Sequence, residues 1–510
     1  MQEIESPTRS QEPVVNDASK RVINTSTSLC VHCKNAIDAT IYEYANNEVW
    51  MHKYCEAHGE QKSRLSDDAE WYKNTRSLRQ PDFPQYLNPP SQISKNLEHG
   101  CPFDCGPCQI HQQKIRLPIV TITSACNLDC PKCYVHNKNQ EAYHISLQDF
   151  SETLDNIIQQ NPDAELLNIT GGEPTMHPHF LQLIEICHAK GFRRISVCSN
   201  GIIMANDEQF LKRFAELGGR VALSFDSFDD DANYALNGSH LLRIKTRCMD
   251  LLEKYNVGTT LIPVISKGIN DHEIGDIVRY AFSKRNLRHI EFHTITFTGP
   301  GGSQFDRSAR INMHEVLTLV EQQCADLISK SDFVPSPCAH PLCYQIAYFL
   351  VDPEDGAAIS FTRFLNKQTI YECLSGSLYL EPSEKLQQAM RDAMNDLWLN
   401  DDAQSQRILK ILKHALDYVF PSQRAISQEE SLRRSEELVK AIYLHSHMDE
   451  ENFDVERIAQ CCDADCYPDG SSIPVCAYNI LYREKEEHFK AQPLQWHARS
   501  GGAMNIKLIR

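Results

Sequence analysis

The chain has 510 residues, enough for about three domains, and at 41% hydrophobic residues its composition is that of an ordinary globular protein. A net charge of −17, with no basic stripe, argues against a nucleic-acid groove. No long apolar run argues for a transmembrane helix, and the polar start MQEIESPTRSQEPVV lacks the apolar core of a secretory signal; a cytoplasmic protein is expected, with a membrane-surface substrate left open.

Residues 1–25 are polar and contain Ser and Pro, so they predict a disordered tail. Residues 26–60 form a compact metal knuckle, CVHC…WMHKYCEAHG. Cys30 and Cys33 supply one half, and Cys55 pairs with His52 or His58, both at the same spacing. That pattern suits tetrahedral zinc or a mononuclear iron; the competing reading is unrelated thiols in a small core. Residues 61–114 read as a Pro-rich wrap ending in a cluster loop, HGCPFDCGPC, with Cys101, Cys105 and Cys108.

From 115 to 310 strands and helices alternate. Strand-like runs are LPIVTIT (117–123), ELLNIT (165–170), RISVCS (194–199), VALSFD (221–226), TLIPVI (260–265) and HIEFHTI (289–295), separated by amphipathic helical patterns. Strands spaced by such helices predict parallel pairing through right-handed crossovers. The expected fold is α/β, a partial (β/α)6 barrel in preference to an open doubly wound sheet. Residues 311–455 read as mostly helical, interrupted by a β-like piece, AYFLVDPEDGAAISF, and carrying PSPCAHPLCY with Cys338, His340 and Cys343. Residues 456–510 form a Cys-rich segment with Cys461, Cys462, Cys466 and Cys476.

Twenty cysteines in a chain without a signal sequence point to thiolate ligation rather than disulfides. The segment TITSACNLDCPKCYV sets Cys126, Cys130 and Cys133 on a loop straight after the first strand. Three thiolates can ligate three irons of a [4Fe–4S] cube and leave the fourth open to the amino and carboxylate groups of S-adenosylmethionine (SAM). Reduction of the bound sulfonium then yields a 5′-deoxyadenosyl radical that abstracts hydrogen from unactivated carbon. The second strand ends in NITGGEPTMHP, where Gly171 and Gly172 permit close backbone approach and Glu173 offers an acceptor for an ammonium group. The third strand ends in CSNG and the fourth in SFDS, and polar groups at the C-terminal ends of parallel strands are where barrel enzymes place their chemistry. A zinc site is the alternative, although zinc takes four N/S ligands in paired spacing.

These motifs, in this order, resemble the radical SAM superfamily over roughly 115–300. The resemblance implies that Gly171, Gly172 and Glu173 meet the SAM amino group, and that Ser199, Asn200, Ser224 and Asp226 meet its ribose or carboxylate. For Ser199 and Ser224 an ordinary strand-end hydroxyl is the rival reading. One departure is Lys132, with Tyr134 after the last cysteine, where many members carry an aromatic residue before it. Cys101, Cys105 and Cys108 repeat the triad spacing with no GGEP at the proper distance, so an auxiliary [4Fe–4S] cluster is expected there. Cys338, Cys343, Cys466 and Cys476 would complete one or two auxiliary clusters, with one of Cys461 and Cys462 a bystander. Cys187, Cys198, Cys248 and Cys324 read as core packing.

CVHC…CEAHG, HGCPFDCGPC, FTGPGG, PCAHPLCY and PDGSSIPVCAYN together resemble one subgroup, the tetraether lipid synthases and the dihydro-hydroxymethylpterin methyltransferases. That implies C–C bond formation or alkylation at unactivated carbon of a lipid-like or pterin-like substrate, with a reductant such as flavodoxin or ferredoxin and no nucleic-acid partner. The alternatives are a peptide-modifying enzyme or dehydrogenase using auxiliary clusters, and a non-catalytic iron–sulfur electron carrier; GGEPT argues against the carrier. A long apolar tunnel would point to lipid, and a compact polar pocket with a carboxylate to a pterin.

Overall fold

The computed structural model describes residues 20–77, 87–93, 96–134, 142–164, 166–299, 304–400, 402–422 and 424–483, with the backbone of two further strands, Leu494–Ala498 and Met504–Leu508. Four antiparallel strands open the chain: β1 (Lys20–Leu29), β2 (Ala36–Tyr44), β3 (Val49–Cys55) and β4 (Gly59–Ser66). The expected tail therefore ends earlier than residue 25. Lys20–Thr25 carries Val22, Ile23 and Thr25, which favour extended backbone, and it pairs along β2; residues 1–19 lie outside the described residues. Ala39, Ile41, Val49 and Met51 form a small core against Tyr72 of the helix Ala69–Ser77 and against Leu342. Lys34 and Gly59 take positive φ (60° and 74°) where the two ligand-bearing turns reverse the chain.

The six expected strands all form. They are β5 (Leu117–Thr123), β6 (Leu166–Gly171), β7 (Arg194–Ser199), β8 (Arg220–Ser224), β9 (Thr259–Ile262), whose run continues past Pro263 as β10 (Val264–Ile265), and β11 (Leu287–Thr294). β5, β6, β7, β8, β9 and β11 pair in chain order, every neighbour parallel. Helices Leu147–Gln160, Phe180–Ala189, Glu208–Glu216, Leu242–Lys254 and Ile274–Ser283 fill the crossovers. The Ser146 side chain caps the first of them by accepting from the Asp149 N–H.

Strand alternation decides what lies inside. Leu167 and Ile169, Val221 and Leu223, and Ile290 and Phe292 face the helices and build the larger apolar core with Phe150, Leu154, Phe180, Phe214 and Leu252. The intervening Asn168, Thr170, Ala222, Ser224, Glu291 and His293 line a cavity instead. Small and polar inner positions leave open the space that apolar layers fill in closed barrels.

After β12 (Val334–Pro335), β13 (Tyr344–Val351) and β14 (Ala358–Ser360), the chain forms the helices Lys367–Cys373, Glu384–Trp398, Ala403–Val419 and Gln428–Leu438, and then β15 (Val439–His445). The sequence VKAIYLH reads as the continuation of a helix, but it is a strand. β15 lies between β11, to which it is parallel, and β13, to which it is antiparallel. Its residues after Val439 are all buried, and Val, Ile and Tyr suit a strand covered on both faces. Glu436, just before β15, pairs with Arg194 and Arg220 at the starts of β7 and β8 (3.2 and 3.0 Å) and anchors the segment beneath the barrel.

The C-terminal segment returns to the other edge. β16 (Asp463–Cys466) runs parallel to β5, and β17 (Ser472–Pro474) is antiparallel to β16. The Cys462 carbonyl accepts from the Arg116 N–H (2.8 Å) and the Leu117 N–H (3.1 Å), which fixes that register. The six-stranded wall thus carries β15 and β13 on one edge and β16 on the other. No helix among the described residues is long and apolar enough to cross a membrane.

Candidate active site

One cavity of about 270 Å³ lies inside the curved sheet. Cys126, Cys130 and Cys133 line its mouth, and Glu291, His293, His445, Asp463 and Asp465 line its far wall. The cysteine loop leaves β5 at Thr123. The Gly172 N–H donates to the Thr123 carbonyl (2.8 Å) and the Glu173 N–H to the Ala125 carbonyl (2.7 Å), joining the GGEP turn to the base of the loop. A Cβ on Gly171 would lie 2.3 Å from the Thr123 oxygen, and one on Gly172 2.3 Å from the Ala125 oxygen. The two glycines therefore permit close approach to backbone as well as lining the cavity.

Glu173 is buried. Its carboxylate accepts from the Ser199 hydroxyl (2.8 Å), the Asn200 N–H (2.7 Å) and the Thr175 hydroxyl (2.5 Å). Ser199 thus orients Glu173, and the Asn200 side chain donates to Asn127 on the cysteine loop (2.6 Å). Lys245, unnoticed in the sequence, is buried and donates to the backbone carbonyls of Asn200 (2.7 Å) and Ser224. Burial brings its ammonium down to about 8.

Asp226 sits deeper than a ligand contact requires. It is buried and pairs with Lys132, and it accepts from Asn237 Nδ2 and the Val264 N–H, both at 3.0 Å. Burial alone would raise its carboxyl; the Lys132 ammonium and these hydrogen bonds hold it below the usual range. Lys132, the departure from the family pattern, therefore anchors the cysteine loop to the end of β8. Burial pushes Cys126 up to about 12 and Cys130 up to about 11. Thiols this reluctant to ionise become thiolates only when a cation compensates them, and an all-sulfur donor set suits iron.

A second candidate metal site is formed by the two N-terminal turns. Cys30, Cys33, Cys55 and His58 bring four ligand atoms within 4.8 Å of one another. His58 Nδ1 lies 3.4 Å from both the Cys30 and Cys55 sulfurs. The other candidate, His52, is engaged in the sheet, with its Nε2 2.7 Å from the Tyr44 hydroxyl.

The remaining cysteines fall into separate groups. Cys101, Cys105 and Cys108 share a loop folded around Asp104, whose carboxylate accepts the N–H groups of Glu98, His99 and Gly100 (2.6 to 2.8 Å). Burial raises Cys101 to about 12 and Cys105 well above its ordinary value, and the neighbouring sulfurs add to both. Cys343, Cys461 and Cys476 form another group: burial raises Cys461 and Cys476, with the Cys343 sulfur contributing to each. The Arg457 Nε donates to Cys343 Sγ (3.3 Å). Cys466, expected among the ligands, points outward because Asp463 and Asp465 point in; it packs in the apolar core, and its sulfur bonds the Ala464 carbonyl at 3.4 Å. Cys338 faces the Ser377 carbonyl at 3.3 Å.

Residues 120–281 match the radical SAM superfamily, and residues 22–67 match the HMPTM N-terminal zinc ribbon domain. The chain is 28% identical over 506 residues to the 7,8-dihydro-6-hydroxymethylpterin dimethyltransferase of Methanocaldococcus jannaschii, covering 92% of this chain and 96% of that one. It is 25% identical over 213 residues to the GTP 3′,8-cyclase of a Synechocystis species, covering 41% of this chain and 63% of the relative. Among solved structures, SuiB of Streptococcus suis bound to S-adenosylmethionine shares 16% identity over 41% of this chain and 47% of that chain, with a TM-score of 0.32. Enzymes of this superfamily use a [4Fe–4S] cluster and SAM. The thiol triad at the mouth of the barrel cavity, the GGEP turn locked against its loop and the match over 120–281 agree: residues 120–281 are the radical SAM domain of an enzyme.

Proposed function

We propose that this enzyme performs C–C bond formation or alkylation at unactivated carbon of a pterin-like heterocycle. The observation that carries the reading is Asp465. It lines the cavity, it is buried, and among the described residues its Oδ2 has no hydrogen-bond partner. An unsatisfied buried acceptor is costly. A 2-amino-4-oxo-pteridine presents two adjacent N–H donors on one edge, and a carboxylate accepts such a pair through both oxygens. Against an acyl chain, the Oδ2 of Asp465 would stay buried without a polar partner. The similarity to the pterin dimethyltransferase spans both chains almost completely and agrees with this choice.

In this reading Cys126, Cys130 and Cys133 hold the cluster, which with SAM supplies the 5′-deoxyadenosyl radical. Glu173, oriented by Ser199, Thr175 and the Asn200 N–H, takes the SAM amino group. Gly171 and Gly172 keep the turn against the cysteine loop, and Ser224 borders the nucleoside. Asp465 orients the heterocycle with its reactive carbon toward the mouth of the cavity, which shortens the search for a productive geometry. The N-terminal Cys30, Cys33, Cys55 and His58 hold zinc, and Cys101, Cys105 and Cys108 belong to an auxiliary cluster. A small reductant protein such as flavodoxin or ferredoxin supplies electrons.

The test is anaerobic incubation of the reconstituted enzyme with reductant, SAM and 7,8-dihydro-6-hydroxymethylpterin. A carbon-bearing mass increase on the pterin, with 5′-deoxyadenosine, is expected. Release of 5′-deoxyadenosine with a coupled lipid product and an unaltered pterin would overturn the substrate assignment.

A further inference from the structure

Three imidazoles gather on the far wall of the cavity. His293 ends the inner row of β11, His445 ends β15, and His447 lies two residues on. His293 and His445 are register partners across the parallel pair. One ligand nitrogen from each of the three lies within 4.8 Å of the others. Ring centroids are 4.9 Å apart for His293 and His447, 5.3 Å for His293 and His445, and 3.8 Å for His445 and His447. All three rings line the same cavity as the thiol triad.

We propose that His293, His445 and His447 bind a divalent transition-metal ion of the zinc or ferrous class, with an open coordination position facing the barrel cavity. Three side chains on two paired strand ends make a rigid donor set, and they are nitrogen donors such ions favour. The arrangement differs from the N-terminal centre, where four ligands close a structural site; three protein ligands and one open position are the pattern of sites that bind exchangeable ligands. Glu291 lies beside the cluster. Its Oε1 lies 3.0 Å from His293 Nε2 and 3.1 Å from His445 Nδ1, so one carboxylate fixes both rings and offsets part of the metal charge. The open position would take water or an electron-rich heteroatom of the bound substrate.

The rival arrangement is a hydrogen-bonded imidazole cluster around Glu291 with no ion. Zinc analysis of the cluster-reconstituted full chain, supplied with zinc and freed of loose metal, separates the two. Wild type should retain two zinc ions per chain, and H293A/H447A one, with iron content and far-ultraviolet circular dichroism unchanged. In crystals of the zinc-loaded wild type, an anomalous peak at the zinc edge should stand about 2.0–2.1 Å from one nitrogen of each ring. The crystal measurement decides even if the variant fails to fold. A wild-type chain with zinc only at Cys30, Cys33, Cys55 and His58, and no peak between the three rings, would overturn the proposal. Neither readout depends on pterin turnover, so this site and the substrate assignment fail separately.

Discussion

Replacing Asp465 by Asn separates recognition from stability. The carboxylate is buried, with one oxygen unpartnered among the described residues and the other 3.4 Å from the Thr121 hydroxyl and 3.9 Å from Arg483. Burial raises its pKa from 3.8 to about 6, which corresponds to about 3 kcal/mol. The unfolded chain releases this proton near 3.8 and the folded chain near 6, so the folded state binds more protons between those values. Stability therefore falls as pH rises through that window and stays lower above it. D465N removes that cost, so above pH 6 the variant should be at least as stable as wild type, with a gain of at most about 3 kcal/mol. Binding should move the other way. Exchanging one charge-assisted hydrogen bond for an amide donor facing a donor costs about 1.5–3 kcal/mol, or about 10–150-fold in Kd. Fluorescence titration of the dihydropterin, alongside anaerobic thermal unfolding, reads both quantities. Wild-type affinity should also drop below pH 6 as the carboxylate protonates, while the variant stays flat. Unchanged affinity, or an affinity loss matched by lost stability, would refute the reasoning.

Lys132→Ala strands Asp226 as a buried charge, and breaking such a pair costs about 3–5 kcal/mol; denaturant unfolding should show that loss, with weaker SAM binding as the cysteine loop loosens. Gly172→Ala places a Cβ 2.3 Å from the Ala125 oxygen, so 5′-deoxyadenosine release should fall at least about tenfold, a barrier increase of about 1.4 kcal/mol, while the circular dichroism persists. Alanine at Cys126, Cys130 and Cys133 together should remove about four irons, leave several behind and abolish 5′-deoxyadenosine; iron and product analysis check it. Cys55→Ala should remove one zinc ion without altering iron content, as elemental analysis would show, because the N-terminal centre is built entirely from two turns of its own sheet.

The barrel was legible because each crossover repeats one pattern, an apolar strand followed by an amphipathic helix, and all six strands fall where that pattern puts them. The cysteine loop and GGEP turn were legible because short spacings bring their residues together without long-range information. The far wall was not. Glu291 and His293 on β11, and Asp463 and Asp465 on β16, each recur at a spacing of two, and polar residues at that spacing on a strand point to one face; His447 follows His445 at the same spacing, just past the end of β15. The signal was present in E-F-H, H-S-H and D-A-D, but VKAIYLH follows a helical pattern without a break, and DADC looks like a turn until β5 offers it an edge. The same alternation explains Cys466, which resembles a ligand by proximity to Cys461 and Cys462 and is turned outward by its strand. Pairing between residues hundreds of positions apart, such as Asp465 beside Ile119, has no local signature.

The most direct test of the account is isotopic. Dihydropterin deuterated at the carbon bonds open to attack is incubated with reduced enzyme and SAM, and the released 5′-deoxyadenosine is analysed by mass spectrometry. The account predicts deuterium in the deoxyadenosine and a carbon-bearing addition to the pterin, both lost when the triad cysteines are replaced. Deoxyadenosine that carries no deuterium from any position of the pterin, or a fully clustered enzyme that releases none, would contradict it.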